Sequence, residues 1–225
     1  MANRFSVAIL ALTISVPVLS SHGRQDVTRL RRANRVFSAV VQTSHRGIPG
    51  PILKAAQCLV VVPGERSFAL GFGGAFGKGV ATCRRGPDWG APLFVRLSGG
   101  SWGFHLATRS GDLIIIFRRR AELTSSLAFG LTLGALGAAA GPIGPNASAA
   151  SSAWRRAKVL TYRRRRGVFA GASLGGYTLR PDKSGNRAMY GDRTWEHILA
   201  GELPAPASAY PLLGTLGRYS AGASK

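Results

Sequence analysis

The sequence predicts an α+β domain: a mainly antiparallel β-sheet or barrel-like sheet, with a basic amphipathic helix before it and short helices after it. Three observations carry that expectation. The runs Leu59-Val60-Val61-Val62 and Leu113-Ile114-Ile115-Ile116 are apolar, largely β-branched and of strand length. Thirty glycines in 225 residues favour strands, tight turns and close backbone contact over long helices. Thr28 to Val41 shows helical spacing: Leu30, Ala33, Val36, Phe37, Val40 and Val41 share one face, and Arg29, Arg31, Arg32 and Arg35 crowd the other.

In chain order, Ile48-Pro49-Gly50-Pro51 breaks the basic helix, and a short helix over Ile52–Ala56 leads into a strand from Cys58 to Val62, ended by Pro63. Ser67–Phe76 and Lys78–Cys83 read as a glycine-laced hairpin, followed by a turn at Arg85-Gly86-Pro87-Asp88. Pro92–Leu97 and Trp102–Thr108 form a second pair around Gly99-Gly100, and Asp112–Phe117 is a buried strand. A short helix follows near Arg119–Leu127. Phe129–Ala140 is ambiguous in type and is read as strand, because Phe129, Leu131 and Leu133 alternate. Ala147–Ala153, Lys158–Tyr162 and Val168–Leu179 are strand-like, and helices over Thr194–Leu199 and Ala205–Leu216 close the chain. The organisation expected is a leader over 1–23, the basic helix within 24–47, one domain over 48–217 and a loose tail over 218–225.

Charge is the strongest compositional signal. Thirty Lys and Arg, 25 of them Arg, face nine Asp and Glu, a net charge of +21. Guanidinium favours bidentate contact with phosphate, and the field attracts anionic lipid, nucleic acid or acidic polymer without choosing among them. A general arginine bias with no partner is the bland alternative. Met1 to Gly23 reads as a secretory signal, with Arg4, the uncharged stretch Phe5–Leu19, and small residues at Ser20, Ser21 and Gly23. That stretch is short for a membrane span. Without an Ala-x-Ala site, an uncleaved anchor stands as its alternative. An exported, peripherally membrane-associated protein, periplasmic or secreted, is expected.

Cys58 and Cys83 are the only cysteines. In an oxidising compartment they form a candidate disulfide, whose loop would contribute about 3 kcal/mol. The other reading is one buried small side chain and one surface thiol.

Several motifs occur in register from about Ile48 to Leu216. They are Ala56-Gln57-Cys58 through Pro63, the glycine run Gly71–Gly79 around Lys78, Trp89–Phe94, Gly99–Gly103, Asp112–Phe117, Ala140–Gly144, Gly167–Gly176, Asn186–Gly191 and Ile198–Gly201. In this order they resemble the SYLF domain, the Las-seventeen-binding-like domain of yeast-type actin-binding proteins. The chain departs from the family pattern at His105-Leu106-Ala107, at Pro145 and at the four arginines after Tyr162. The resemblance implies lipid association without established enzyme activity, with phosphoinositide binding and actin coupling in eukaryotic members. Actin is not the expected partner of an exported chain.

The candidate lipid- or phosphate-binding residues are Arg29, Arg31, Arg32 and Arg35 on the helix, then Arg118, Arg119, Arg120, Arg163, Arg164, Arg165 and Arg166 at strand ends; Arg84-Arg85 and Arg155-Arg156 are further basic pairs. Val36, Phe37 and Val40 are candidates for membrane insertion. The preferred arrangement packs this helix on the domain and leaves its arginines in water, and both arrangements hold if the arginine face looks outward. Gly-x-Ser-x-Gly occurs at Ser101 and Ser173, but a nucleophile elbow needs a helix directly after the serine, and strand-like sequence follows both. The glycine run fails the phosphate-loop templates. His45, His105 and His197 lack metal spacing, and two cysteines do not make a structural zinc site. The expectation is therefore a non-enzymatic binder of an anionic phospholipid surface, without cofactor or metal. A nucleic-acid or polyanion binder is the runner-up, without the interleaved aromatics that stacking uses, and a serine hydrolase is third. Oligomeric state is left open.

Overall fold

The computed structural model describes residues 21–42, 47–70, 72–102, 109–142, 156–165, 168–171 and 176–221. Helices α1 (Ser21–Val41) and α2 (Gly50–Ala55) precede strands β1 (Cys58–Leu70), β2 (Phe72–Arg85), β3 (Asp88–Trp89), β4 (Leu93–Trp102) and β5 (Arg109–Phe117). Then come α3 (Arg120–Phe129), β6 (Ala138–Ala140), β7 (Val159–Arg165), β8 (Val168–Gly171), β9 (Tyr177–Pro181), α4 (Lys183–Tyr190), α5 (Trp195–Ala200) and α6 (Tyr210–Ala221). The main sheet order is β6-β7-β5-β1-β2-β4-β9, with β3 paired to β2 and β8 to β7. Among the described residues every strand pair is antiparallel except β6–β7. The expected α+β fold with a mainly antiparallel sheet is the fold observed.

Both faces of the central strands are covered, which explains their continuous apolar runs. Leu59, Val61, Ile114 and Ile116 pack towards α1, α2 and α6. Val60, Val62, Leu113 and Ile115 pack towards α3, α5 and the turn carrying Leu133 and Leu136. Cys58 and Cys83 are register partners on β1 and β2 and are joined by a disulfide.

The structure corrects four local expectations. Pro63 does not end β1. Gly64 takes the left-handed φ of +62°, the register shifts there, and the Gly64 amide donates to Asp112 Oδ1 at 2.9 Å. Such a bulge lets a strand continue past a proline and swaps which alternate side chains face which side. Second, the β1–β2 hairpin closes between Leu70 and Phe72, well before the expected turn. Third, most of Phe129–Ala140 is not strand. Gly130 (φ +66°) terminates α3 in the left-handed conformation, and successive turns tuck Leu133 and Leu136 onto the sheet. Fourth, β4 runs through Gly99-Gly100, where the turn of a second strand pair was expected.

Ala147–Ala153, residues 103–108 of the expected Trp102–Thr108 strand, His45, His105, Ser173, Arg166, residues 1–20 of the leader and 222–225 of the tail lie outside the described residues.

Candidate functional site: a cationic groove beside the N-terminal helix

Helix α1 packs on the domain. Its apolar face, including Val36 (5% exposed), Phe37 and Val40, lies in the core against α2, α6 and the sheet. These three residues therefore do not face a membrane in this fold, because each apolar side chain already buried there is worth about 1.5–3 kcal/mol. Arg31 and Arg35 point to solvent. Arg29 is buried, held by Asp26 at 3.0 Å and Asp182 at 3.0 Å, with its guanidinium 5.0 Å above the Phe94 ring.

The strand-end clusters are largely engaged with the protein itself. Arg119 pairs with buried Glu122 at 2.6 Å, and Arg120 donates to the Arg84 carbonyl. Arg163 lies inside with Glu65 and the Tyr177 hydroxyl, each at 3.0 Å. Arg164 pairs with Asp112 at 2.6 Å. Arg118 stands near Tyr162, whose hydroxyl burial pushes far above the usual tyrosine range, Arg118 opposing the shift. The side chain of Arg165 is outside the described set. Arg84 is structural: it donates to the carbonyls of Leu53, Ala56 and Ser220, tying the ends of α2 and α6 together over Trp89.

A different set of cations converges on a groove of about 750 Å³ between the first half of α1 and the sheet. Its lining contains Arg24, Arg29 and Arg32 from α1, Arg66 from β1, Lys78 from β2, Arg96 from β4 and Arg180 from β9. All but Arg29 are exposed. Strand register builds the floor. Lys78, Arg96 and Arg180 are successive partners across β2, β4 and β9, so they form a row on one face, about 4.8 Å from strand to strand. Arg66, Phe76, Ser98 and Thr178 form the adjacent row. The Gly64 bulge brings Arg66 to this side and turns Glu65 to the opposite one. Phe76 is 52% exposed.

Like charges opposite one another on neighbouring strands repel. The counter-charge is Asp182, buried beside the row, which accepts from Arg96 at 2.8 Å and Arg29 at 3.0 Å and lies 3.7 Å from Lys78. Burial alone would raise its carboxyl, but hydrogen bonds from Arg96, Ser184 and Arg29 outweigh that and hold it at about 2. One carboxylate shared among three cations leaves the row net positive. Among the described residues lining the groove there is no carboxylate. Fork-shaped donors beside an apolar ring suit a phosphate attached to an apolar body. Among the described residues, no group of three His, Cys, Asp or Glu gathers to hold a metal. Ser101 sits within β4, paired to Gly73, with the strand continuing to Trp102.

Of the sequence candidates, only Arg29 and Arg32 belong to the groove. Arg66, Lys78, Arg96 and Arg180 were missed because each is isolated in sequence. Their signal was alternation: Lys78 is two residues from core Val80, and Arg96 two from core Phe94, so strand period places them on a continued core face.

Comparison with known proteins comes from sequence. The family model Ysc84, described as Las17-binding protein actin regulator, matches residues 98–219. An SH3 domain-containing protein of Schizosaccharomyces pombe is 34% identical over 175 residues, covering 75% of this chain and 40% of that protein. Protein YSC84 of Saccharomyces cerevisiae is 32% identical over 191 residues, 82% of this chain and 40% of that one. The SH3 domain-containing YSC84-like protein 1 of Homo sapiens is 31% identical over 212 residues, 90% and 60% respectively. The chain thus spans about two-fifths of the length of the yeast relatives. No solved structure matches it.

Proposed function

The chain belongs to the Ysc84 family, the family of the SYLF resemblance, and from that membership we propose that it is a non-enzymatic protein that binds anionic phospholipid through the cationic groove. The observation that carries this reading is the Lys78–Arg96–Arg180 row beside exposed Phe76, with no carboxylate among the described lining residues. Cations near an anionic bilayer contribute on the order of 1 kcal/mol each, so the six exposed ones amount to roughly 6 kcal/mol, a dissociation constant of tens of micromolar. Arg31 and Arg35 add to the attracting field.

Attachment is peripheral in this reading; among the described residues no helix is long and apolar enough to cross a membrane. The leader-like segment Met1–Gly23 and the Cys58–Cys83 disulfide favour an exported protein in an oxidising compartment. Actin is named in the description of the family, and an exported chain would not meet it.

The test is co-sedimentation with phosphatidylcholine vesicles, with and without phosphatidylglycerol, at low and high salt. Binding should require the anionic lipid and weaken with salt. Combining Arg66→Ala, Lys78→Ala and Arg180→Ala should weaken it about a hundredfold, at roughly 1 kcal/mol per cation. Arg119→Ala should leave it nearly unchanged. Equal binding to neutral vesicles, or an unaffected triple variant, would sink the proposal; tighter binding to duplex DNA than to vesicles would replace it with a polyanion role.

A further inference from the structure

Large apolar side chains remain exposed at the two ends of the row that runs beside the cations. Phe76 stands at one end, and Phe129 and Leu131, 77% and 40% exposed, flank Gly130 at the other. Register connects them. The row from Phe76 through Ser98 to Thr178 continues by the bridge Thr178↔Thr132 into the segment that follows α3. Three strand spacings separate its ends, about 14 Å. The cationic row reaches the same turn, since the Arg180 guanidinium lies so close to Gly130 that a Cβ there would sit 2.6 Å from Nη2. The left-handed φ of Gly130 ends α3 where Phe129 leaves the core.

Single exposed apolar residues are ordinary on protein surfaces. Two apolar points about 14 Å apart beside a row of cations are the arrangement of an interfacial binding surface, where charges meet headgroups and aromatic rings enter the acyl boundary. We propose that Phe129 and Leu131, with Phe76 opposite, are the apolar anchors of this protein in an anionic bilayer, so that the β2–β4–β9 corner and the turn after α3 face the membrane. This rests on the groove as the lipid-phosphate site, and it moves insertion away from α1, whose apolar face is already buried.

The test uses the full chain with Phe129→Cys carrying an environment-sensitive NBD label. The two native cysteines are tied to each other, so the label goes to residue 129 alone. On vesicles of phosphatidylcholine and phosphatidylglycerol its emission should shift to the blue and be quenched by acyl-brominated lipid. The same label at Asp88→Cys on β3, paired to Arg85 and so about 30 Å along the β2 direction from Phe76, should do neither. The double variant Phe129→Ser, Leu131→Ser should weaken vesicle binding roughly tenfold or more. Its affinity for monomeric short-chain phosphatidylglycerol should not change. A label at 129 that stays in water on vesicle-bound protein overturns the anchor while leaving the groove reading intact. Failure of the unmodified chain to bind either lipid form overturns both. If the double variant misfolds by circular dichroism, the label decides.

Discussion

Replacing Asp182 with asparagine keeps the side chain's size and removes the charge shared by Arg29, Lys78 and Arg96. Arg29 is the costly partner, being 9% exposed, while Lys78 and Arg96 are about half exposed and can rehydrate. Removing one member of a buried pair costs about 3–5 kcal/mol. Arg29 retains Asp26, which places the expected loss near 3 kcal/mol. For a chain of this size that corresponds to a fall in melting temperature of roughly 6–12 °C.

The pH dependence follows from the same group. A carboxyl held at about 2 in the fold, against 3.8 ordinarily, stabilises the fold at any pH above its ordinary value. That contribution, about 2 kcal/mol, is lost as pH falls through the interval between the two values. Urea denaturation followed by circular dichroism, at neutral pH and in steps through that acid range, measures both effects. Wild type should lose stability more steeply than the Asp182→Asn variant, and the two should converge at the acid end. Equal stability at neutral pH, or parallel curves through the acid range, would refute the shared-counter-ion argument.

Gly79→Ala would drive a Cβ into the Val61 carbonyl oxygen and the Val62 side chain, and the strain should lower stability by about 1–3 kcal/mol, read from the urea midpoint. Reducing the Cys58–Cys83 disulfide should cost about 3 kcal/mol, the loop term for its 25-residue separation; an unchanged midpoint with dithiothreitol would contradict it. Phe37→Ala should destabilise by about 3–5 kcal/mol, because that ring is fully buried beneath α1. Arg31→Ala with Arg35→Ala, on the outer face of the same helix, should stay within about 0.5 kcal/mol of wild type, and a larger loss would mean these arginines are not in water.

Much of the fold was legible in the residues. Runs such as Val60-Val61-Val62 and Ile114-Ile115-Ile116 announce strands buried on both faces, and the spacing of Leu30, Ala33, Phe37 and Val40 announces a helix with one buried stripe, because these patterns are local and periodic. The errors sit where a distant contact overrides local preference. Pro63 reads as a strand end, yet Asp112, on a neighbouring strand, accepts from the Gly64 amide and carries the strand through a bulge. Lys-Ser-Gly-Asn carries no helical apolar spacing, yet Lys183–Tyr190 is a helix, docked on β4 by Asn186, which accepts from the Phe94 amide and donates to its carbonyl. Gly185 allows that approach, since a Cβ there would lie 3.1 Å from Asp26 and 3.3 Å from Phe94.

The residues alone were enough for the net positive charge, the family, the strand-rich core and the cysteines available to pair. Which cations act together was decided in three dimensions. Conspicuous clusters such as Arg119-Arg120 and Arg163-Arg164 are spent on Glu122, the Arg84 carbonyl, Glu65 and Asp112. The solitary Arg66, Lys78, Arg96 and Arg180 meet across three strand pairings, two of them, Lys78 and Arg96, sharing buried Asp182. Electrostatic energy depends on separation in space and on burial, and strand register sets both for residues as far apart in the chain as 66 and 180.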